Sequence, residues 1–296
     1  MSRTLTLFLA ALLGVPGLVA AGETLQVVAV PTPPVLDGVV DPVWKQAPEL
    51  LVAVSPVTAD VGQRYEVYDP ARRTAGREVR LRAVTNDERL FLLASWTDPT
   101  RSVAKKPWVW DAAAGAYVKG PGDEDRFAML LPIGASATEC MVSGVSFVGD
   151  LWHWKAARTE PAGYADDQTL RMGIKNFRGA ETWYGPGGKT VYGKRYDDDG
   201  SAAFEEQKEP PTRFAGEQVS RYRPQQPDGS RADIRSGAKW QDGRWTLELS
   251  RALDTGDPRA DRALAPGEVV QVSVAVFDDC GDMHHATSPL FSLVME

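Results

Sequence analysis

The chain has 296 residues, 43% hydrophobic and 25% charged, with a formal net charge of −7, two cysteines and three histidines. This is an ordinary globular composition, and it excludes a collagen-like or wholly disordered chain. The acidic balance argues against a nucleic-acid partner, which calls for a basic stripe. Two cysteines exclude a disulfide-dense scaffold and a four-cysteine zinc site.

Residues 1–21 read as a secretory signal. Arg3 supplies the positive end, residues 5–13 an apolar run, and Val19-Ala20-Ala21 a small-residue cleavage site. Gly14, Pro16 and Gly17 break that run, and no later stretch reaches the roughly 18 apolar residues of a membrane span. The expectation is a cleaved, periplasmic protein with no transmembrane segment in its mature chain, in a compartment where a disulfide persists. Residues 22–296 then form the mature domain.

From there the recurring signal is alternation with a period of two, the mark of half-buried strands. Residues 25–30, 79–85 and 90–96 are strand candidates, with Asn86-Asp87 as a hairpin turn between the last two. A short helical turn is expected near residues 41–46. Asp242-Gly243 is a stronger hairpin signal and precedes Trp245, Leu247 and Leu249 on one strand face. Residues 250–253 read as a second helical turn. Val270, Val272, Val274 and Val276 repeat the alternation. Many short strands with hardly any helix predict an all-β chain folded as a single β-sandwich, immunoglobulin-like in architecture.

Two stretches fit that sandwich poorly, at about 101–125 and 173–237. The first carries Lys105, Lys106, Trp108 and Trp110 among glycines and alanines; the second is rich in Gly, Pro, Asp and Gln. They are expected as long loop insertions, either partner-facing or solvated and mobile. No internal repeat is present.

Candidate chemistry is soon reduced. The chain has no Gly-rich phosphate loop, no G-x-S-x-G elbow and no H-E-x-x-H helix, so no catalytic residue is assigned. Asp197-Asp198-Asp199-Gly200 lacks the alternating spacing of a calcium loop and reads as a solvated turn. What remains are three segments: 139–144, with Cys140 and Met141; 150–158, with Trp152, His153, Trp154 and Lys155; and 277–288, with Cys280, His284 and His285. Both cysteines and all three histidines fall within them. On a strand, Trp152 and Trp154 turn to one face, His153 and Lys155 to the other. A flat redox-active ring wants large apolar walls, one or two axial ligands and cations for its propionates. The bland alternatives are core packing for the methionines, Met129 and Met172 included, and a polar outer face for His153 and Lys155.

At these residues the sequence resembles the haem-binding domain of the ethylbenzene dehydrogenase type, the gamma subunit of periplasmic molybdenum enzymes and related stand-alone cytochromes. The landmarks in order are Leu36-Asp37-Gly38 with Asp41 and Trp44, an opening shared with family 9 carbohydrate-binding modules; the 125–132 strand; Met141; the 150–158 stretch; and the closing 275–278 turn with Ser288. The resemblance implies a sandwich similar to DOMON domains and family 9 modules, holding one non-covalent haem b. It implies Met141 as one iron ligand. The second falls where the family tends to have Lys-x-x-Ser and this chain has His285-Ala286-Thr287-Ser288, so His285 takes that place, with His284 as the alternative register. Trp152, Trp154, His153 and Lys155 become candidate haem contacts. If Met141 and His285 approach one haem, a Cys140–Cys280 disulfide becomes conceivable. Absence of C-x-x-C-H leaves no covalent haem attachment. The implied function is electron transfer, with molybdenum and iron–sulfur subunits or c-type cytochromes as partners. The rivals are a secreted carbohydrate-binding module and a haem-free structural subunit.

Overall fold

The structure, a computed structural model, describes residues 23–56, 74–138, 144–184, 189–281 and 285–296. The expected signal segment lies outside them. Nineteen strands run in chain order. The first nine are β1 (Thr24–Ala29), β2 (Leu50–Pro56), β3 (Arg77–Thr85), β4 (Arg89–Thr97), β5 (Trp108–Asp111), β6 (Ala116–Lys119), β7 (Arg126–Pro132), β8 (Phe147–Lys155) and β9 (Asp166–Gly173). Then come β10 (Glu181–Tyr184), β11 (Thr190–Asp197), β12 (Phe204–Glu206), β13 (Gln218–Val219), β14 (Tyr222–Pro224) and β15 (Arg235–Gln241). The last four are β16 (Arg244–Ala252), β17 (Val269–Phe277), β18 (Ala286–Thr287) and β19 (Phe291–Met295). The described residues contain short 3-10 turns, one of them the expected Pro42–Gln46, and no α-helix.

The strands make the two layers of a β-sandwich. One layer runs β15–β16–β4–β3, and β3 gives its other edge to β2 at one end and to β1 at the other. The second runs β10–β11–β9–β8–β7–β17. Two strands join the layers along one side: β17 pairs β19 through its first half and β7 through its second, while β2 pairs β3 and then β18. Every strand expected from alternation is present. The Asp242-Gly243 turn has φ of 53° and 73°, the left-handed pair that a tight hairpin needs.

Between the layers, Trp96 and Trp245 from one sheet meet Phe127 and Trp154 from the other. Trp96 stacks on Phe127 at 5.6 Å between ring centroids, and Trp154 meets Trp245 edge-on at 5.0 Å. All four side chains are buried, and aromatic burial on this scale dominates core energetics. Met129 and Met172 are buried packing residues, as the bland reading had it.

Three expectations are corrected. Residues 250–253 are not a helical turn, because β16 continues through Ala252 in register with Arg89 of β4; tertiary pairing overrides the local pattern. The 173–237 stretch is not structureless: β10 and β11 extend the second sheet, with Val191 buried among Phe147, Leu170 and Met172. Nor is 101–125 a loose loop. Its hairpin β5–β6 pairs with β13, Trp110 packs against Tyr117 and Phe214, and the Arg221 guanidinium lies over Trp108 at 5.2 Å. The two insertions pack aromatics against each other, a partner that neither local sequence reveals.

Candidate functional site

The four strands β9–β8–β7–β17 set the site, and their antiparallel registers align its side chains in rows. Ala275, Ala128 and His153 are opposed across three strands, and so are Ser273, Leu130 and Leu151. Phe277, Arg126 and Lys155 form the next row. These rows face away from the interlayer core, because the intervening residues Phe127, Met129, Trp152, Trp154, Val274 and Val276 fill it. On the outer face Ala128, Leu130, Leu151, Leu170 and Ala275 floor an apolar trough, with Phe277, His285 and Thr287 along its side.

His285, immediately before β18, is 4% exposed. Its imidazole stacks on the Phe277 ring at 5.0 Å and 28°. On the far side His153 lies 5.7 Å from the same ring, and its Nδ1 is 3.2 Å from Gln168 Oε1. The Arg126 guanidinium stands 4.2 Å from the Phe277 centroid and donates to the Cys280 carbonyl at 2.5 Å. Phe277, which sequence reading passed over, therefore positions His285 from behind. Only its period-two spacing with Ala275 signalled that it shares the trough's face.

Met141 and His284 lie outside the described residues. The last described residue before Met141, Thr138, has its carbonyl at the trough, where it accepts from Ser273 Oγ at 3.1 Å.

Other candidates fall elsewhere. Trp152 and Trp154 point into the core, so neither walls a group held on the outer face; strand alternation forces the separation. Trp154 Nε1 donates to Glu160 Oε2 at 2.5 Å. Lys155 does share the outer face but is buried in an ion pair with Asp166, which Arg231 also contacts at 3.1 Å. Burial pushes the Lys155 ammonium down to about 7, against the pull of Asp166. Burial opposes ionisation of Asp166, but Lys155 and Arg231 outweigh it and hold its carboxyl below the usual range. That charge is committed to a structural network and is not offered to a propionate. Cys280 is a buried free thiol, 3.3 Å from Thr74 Oγ1, and burial raises its pKa. Cys140, its conceived partner, lies outside the described residues.

The opening motif is a structural clamp. Glu248 accepts from the Asp37 and Gly38 amides at 3.0 and 2.9 Å and from Trp44 Nε1 at 2.8 Å, while Asp41 accepts from the Val35 amide at 2.8 Å. Gly38 has φ of +73°, and a Cβ there would come within 2.4 Å of the Lys239 amide nitrogen, so the Leu-Asp-Gly turn packs directly on β15.

A haem needs apolar surface and nitrogen or sulfur donors facing it. The trough supplies an aliphatic floor and one buried imidazole, so its residues fit the group.

The model of the ethylbenzene dehydrogenase family matches residues 41–288. The chain belongs to that family. The match runs from the Asp41 clamp through the 150–158 strand to Ser288, so it takes in both layers and the whole trough. No curated protein matches the chain. Among solved structures, a family 9 carbohydrate-binding module from Caldicellulosiruptor kristjanssonii in complex with glucose is 11% identical, covering 93% of this chain and 96% of its own, with a TM-score of 0.37. A putative carbohydrate-binding protein from Bacteroides uniformis is 9% identical, covering 93% and 100%, with a TM-score of 0.40. Likenesses this weak carry no argument about the site. No helix among the described residues of this family member is long and apolar enough to cross a membrane.

Proposed function

We propose that this member of the ethylbenzene dehydrogenase family is an exported, periplasmic electron-transfer protein that holds one non-covalent haem b over the outer trough. His285 and Met141 are its iron ligands. The observation that carries the reading is the buried His285 imidazole, stacked on Phe277 beside an aliphatic floor. Bound haem supplies a one-electron ferrous–ferric couple.

The chain's own residues orient and shield. Phe277 fixes the plane of the His285 ring, and the Arg126 guanidinium braces Phe277. Ala128, Leu130, Leu151 and Leu170 exclude water from the floor, which disfavours the more highly charged ferric state. Two protein ligands leave no open position for a substrate, so the role is that of a carrier or a gamma-type subunit and not a catalyst. Its partners are redox proteins, either molybdenum and iron–sulfur subunits or c-type cytochromes.

The visible spectrum of the protein reconstituted with haem tests this. A Soret band with low-spin features is expected in the wild type, lost in Met141→Ala and His285→Ala and kept in His284→Ala. Loss in His284→Ala with retention in His285→Ala reverses the register. No Soret band at all sinks the reading; glycan binding would then favour a carbohydrate-binding module, and neither result a haem-free structural subunit.

A further inference from the structure

On the opposite face of the same strands lies a second polar site. Asp150 of β8 and Asp167 of β9 turn into the sandwich at its edge, where they meet Arg251 at the end of β16 and Asp261 of the loop that follows. All four are buried. One carboxylate oxygen from each of Asp150, Asp167 and Asp261 lies within 4.8 Å of the others. Asp198, expected in a solvated turn, is instead buried beside them and accepts from Thr169 Oγ1 at 2.7 Å.

Four carboxylates thus face one cation, and their oxygens are served unevenly. Asp150 Oδ2 pairs with Arg251 and accepts from the Arg262 amide at 2.9 Å. Asp261 takes the Thr255 hydroxyl at 2.5 Å and Arg251 at 3.4 Å. Asp150 Oδ1, Asp198 Oδ2 and both oxygens of Asp167 have no hydrogen-bond partner among the described residues. Asp167 is 0% exposed. A buried carboxylate without a single donor is costly unless it is protonated or bound to a cation.

We propose that Asp150, Asp167 and Asp261 bind one calcium ion, with Asp198 completing the charge of the site. The donors are all hard carboxylate oxygens, which suit calcium or magnesium and not the softer transition metals. Asp167 has both oxygens open, as a bidentate ligand requires, and calcium takes such ligands in flexible geometry where magnesium demands a near-ideal octahedron. Ligands drawn from two strands and a loop would tie β8 and β9 to the chain after β16. If no metal binds, the cluster must hold protons: burial first, then Asp150, pushes the Asp167 carboxyl well above its ordinary range.

The test is made on full-length protein stripped with a chelator, with calcium alone as the probe. One calcium per chain by calorimetry is expected, with a rise in Tm of about 5–10 °C at calcium a hundredfold above its Kd. Asp167→Asn should abolish both effects while melting, in chelator, no lower than the wild type, because it removes a buried carboxyl that has no hydrogen-bond partner. Asp261→Asn serves as the second variant should Asp167→Asn not fold. Wild-type protein that binds no calcium and keeps its Tm overturns the proposal. So does either folded variant that binds calcium as the wild type does. Neither readout involves haem or its spectrum.

Discussion

Glu248 and Asp167 are both wholly buried on internal strands, yet they are served in opposite ways. Glu248 accepts two backbone amides and an indole N–H, and closes the opening motif onto β16. Asp167 accepts nothing, with Asp150 and Asp261 crowding it. Burial raises the pKa of both groups. The difference shows how to separate a structural carboxylate from one awaiting a ligand: donors within hydrogen-bond range offset the desolvation of the first, while the second has no donor and only the attraction of Arg251.

The largest effect should come from Arg251→Ala. It leaves Asp150, Asp167 and Asp261 with no cation, and in chelator should cost roughly 3–5 kcal/mol by urea melts. Saturating calcium should shrink that loss; an identical loss with and without calcium would erase the contrast with Glu248. Glu248→Ala comes next, at about 3 kcal/mol, since three buried donors lose their acceptor. That cost should not respond to calcium.

The smallest effect is the pH dependence set by Asp125, a carboxylate of the Glu248 kind. It accepts from the Ser102 and Asp279 amides and from Trp245 Nε1, yet burial, then Asp98, raises its pKa from 3.8 to about 7. Between those values the folded protein holds a proton that the unfolded chain has released. Its contribution to stability is therefore greatest below pH 3.8 and is lost as pH rises to about 7, with a slope of at most ~1.4 kcal/mol per pH unit. Asp98, raised to about 6 by burial and by Asp278, acts in the same direction. Asp125→Asn should flatten the acid side of the stability curve, and an unchanged slope would refute the assignment.

Much of this was legible in advance. Period-two alternation marked β1, β3, β4, β16 and β17, and the turn at Asp242-Gly243 announced its hairpin. His285 stood out as one of three imidazoles placed in a family-like segment, and its chain position was enough to nominate it. Phe277 was not nominated, because its role depends on β18 returning alongside β17. For the two tryptophans of β8, alternation showed that they oppose His153, but not which face was the core. The insertions misled in the same way, since Trp110 and Phe214 find each other only across a long sequence separation.

Composition and spacing alone therefore determined an all-β chain with few soft ligands, most of its strands, and the segment that carries His285. Local backbone preference and side-chain alternation are properties of neighbours in sequence, so they survive without the fold. Tertiary structure alone decided which face of β8 became core, that Lys155 is consumed by Asp166, and that Asp150, Asp167, Asp198 and Asp261 meet around one arginine. Those residues come from separate strands and loops, and burial, which turns ordinary acids into a site, exists only once the two layers have closed over them.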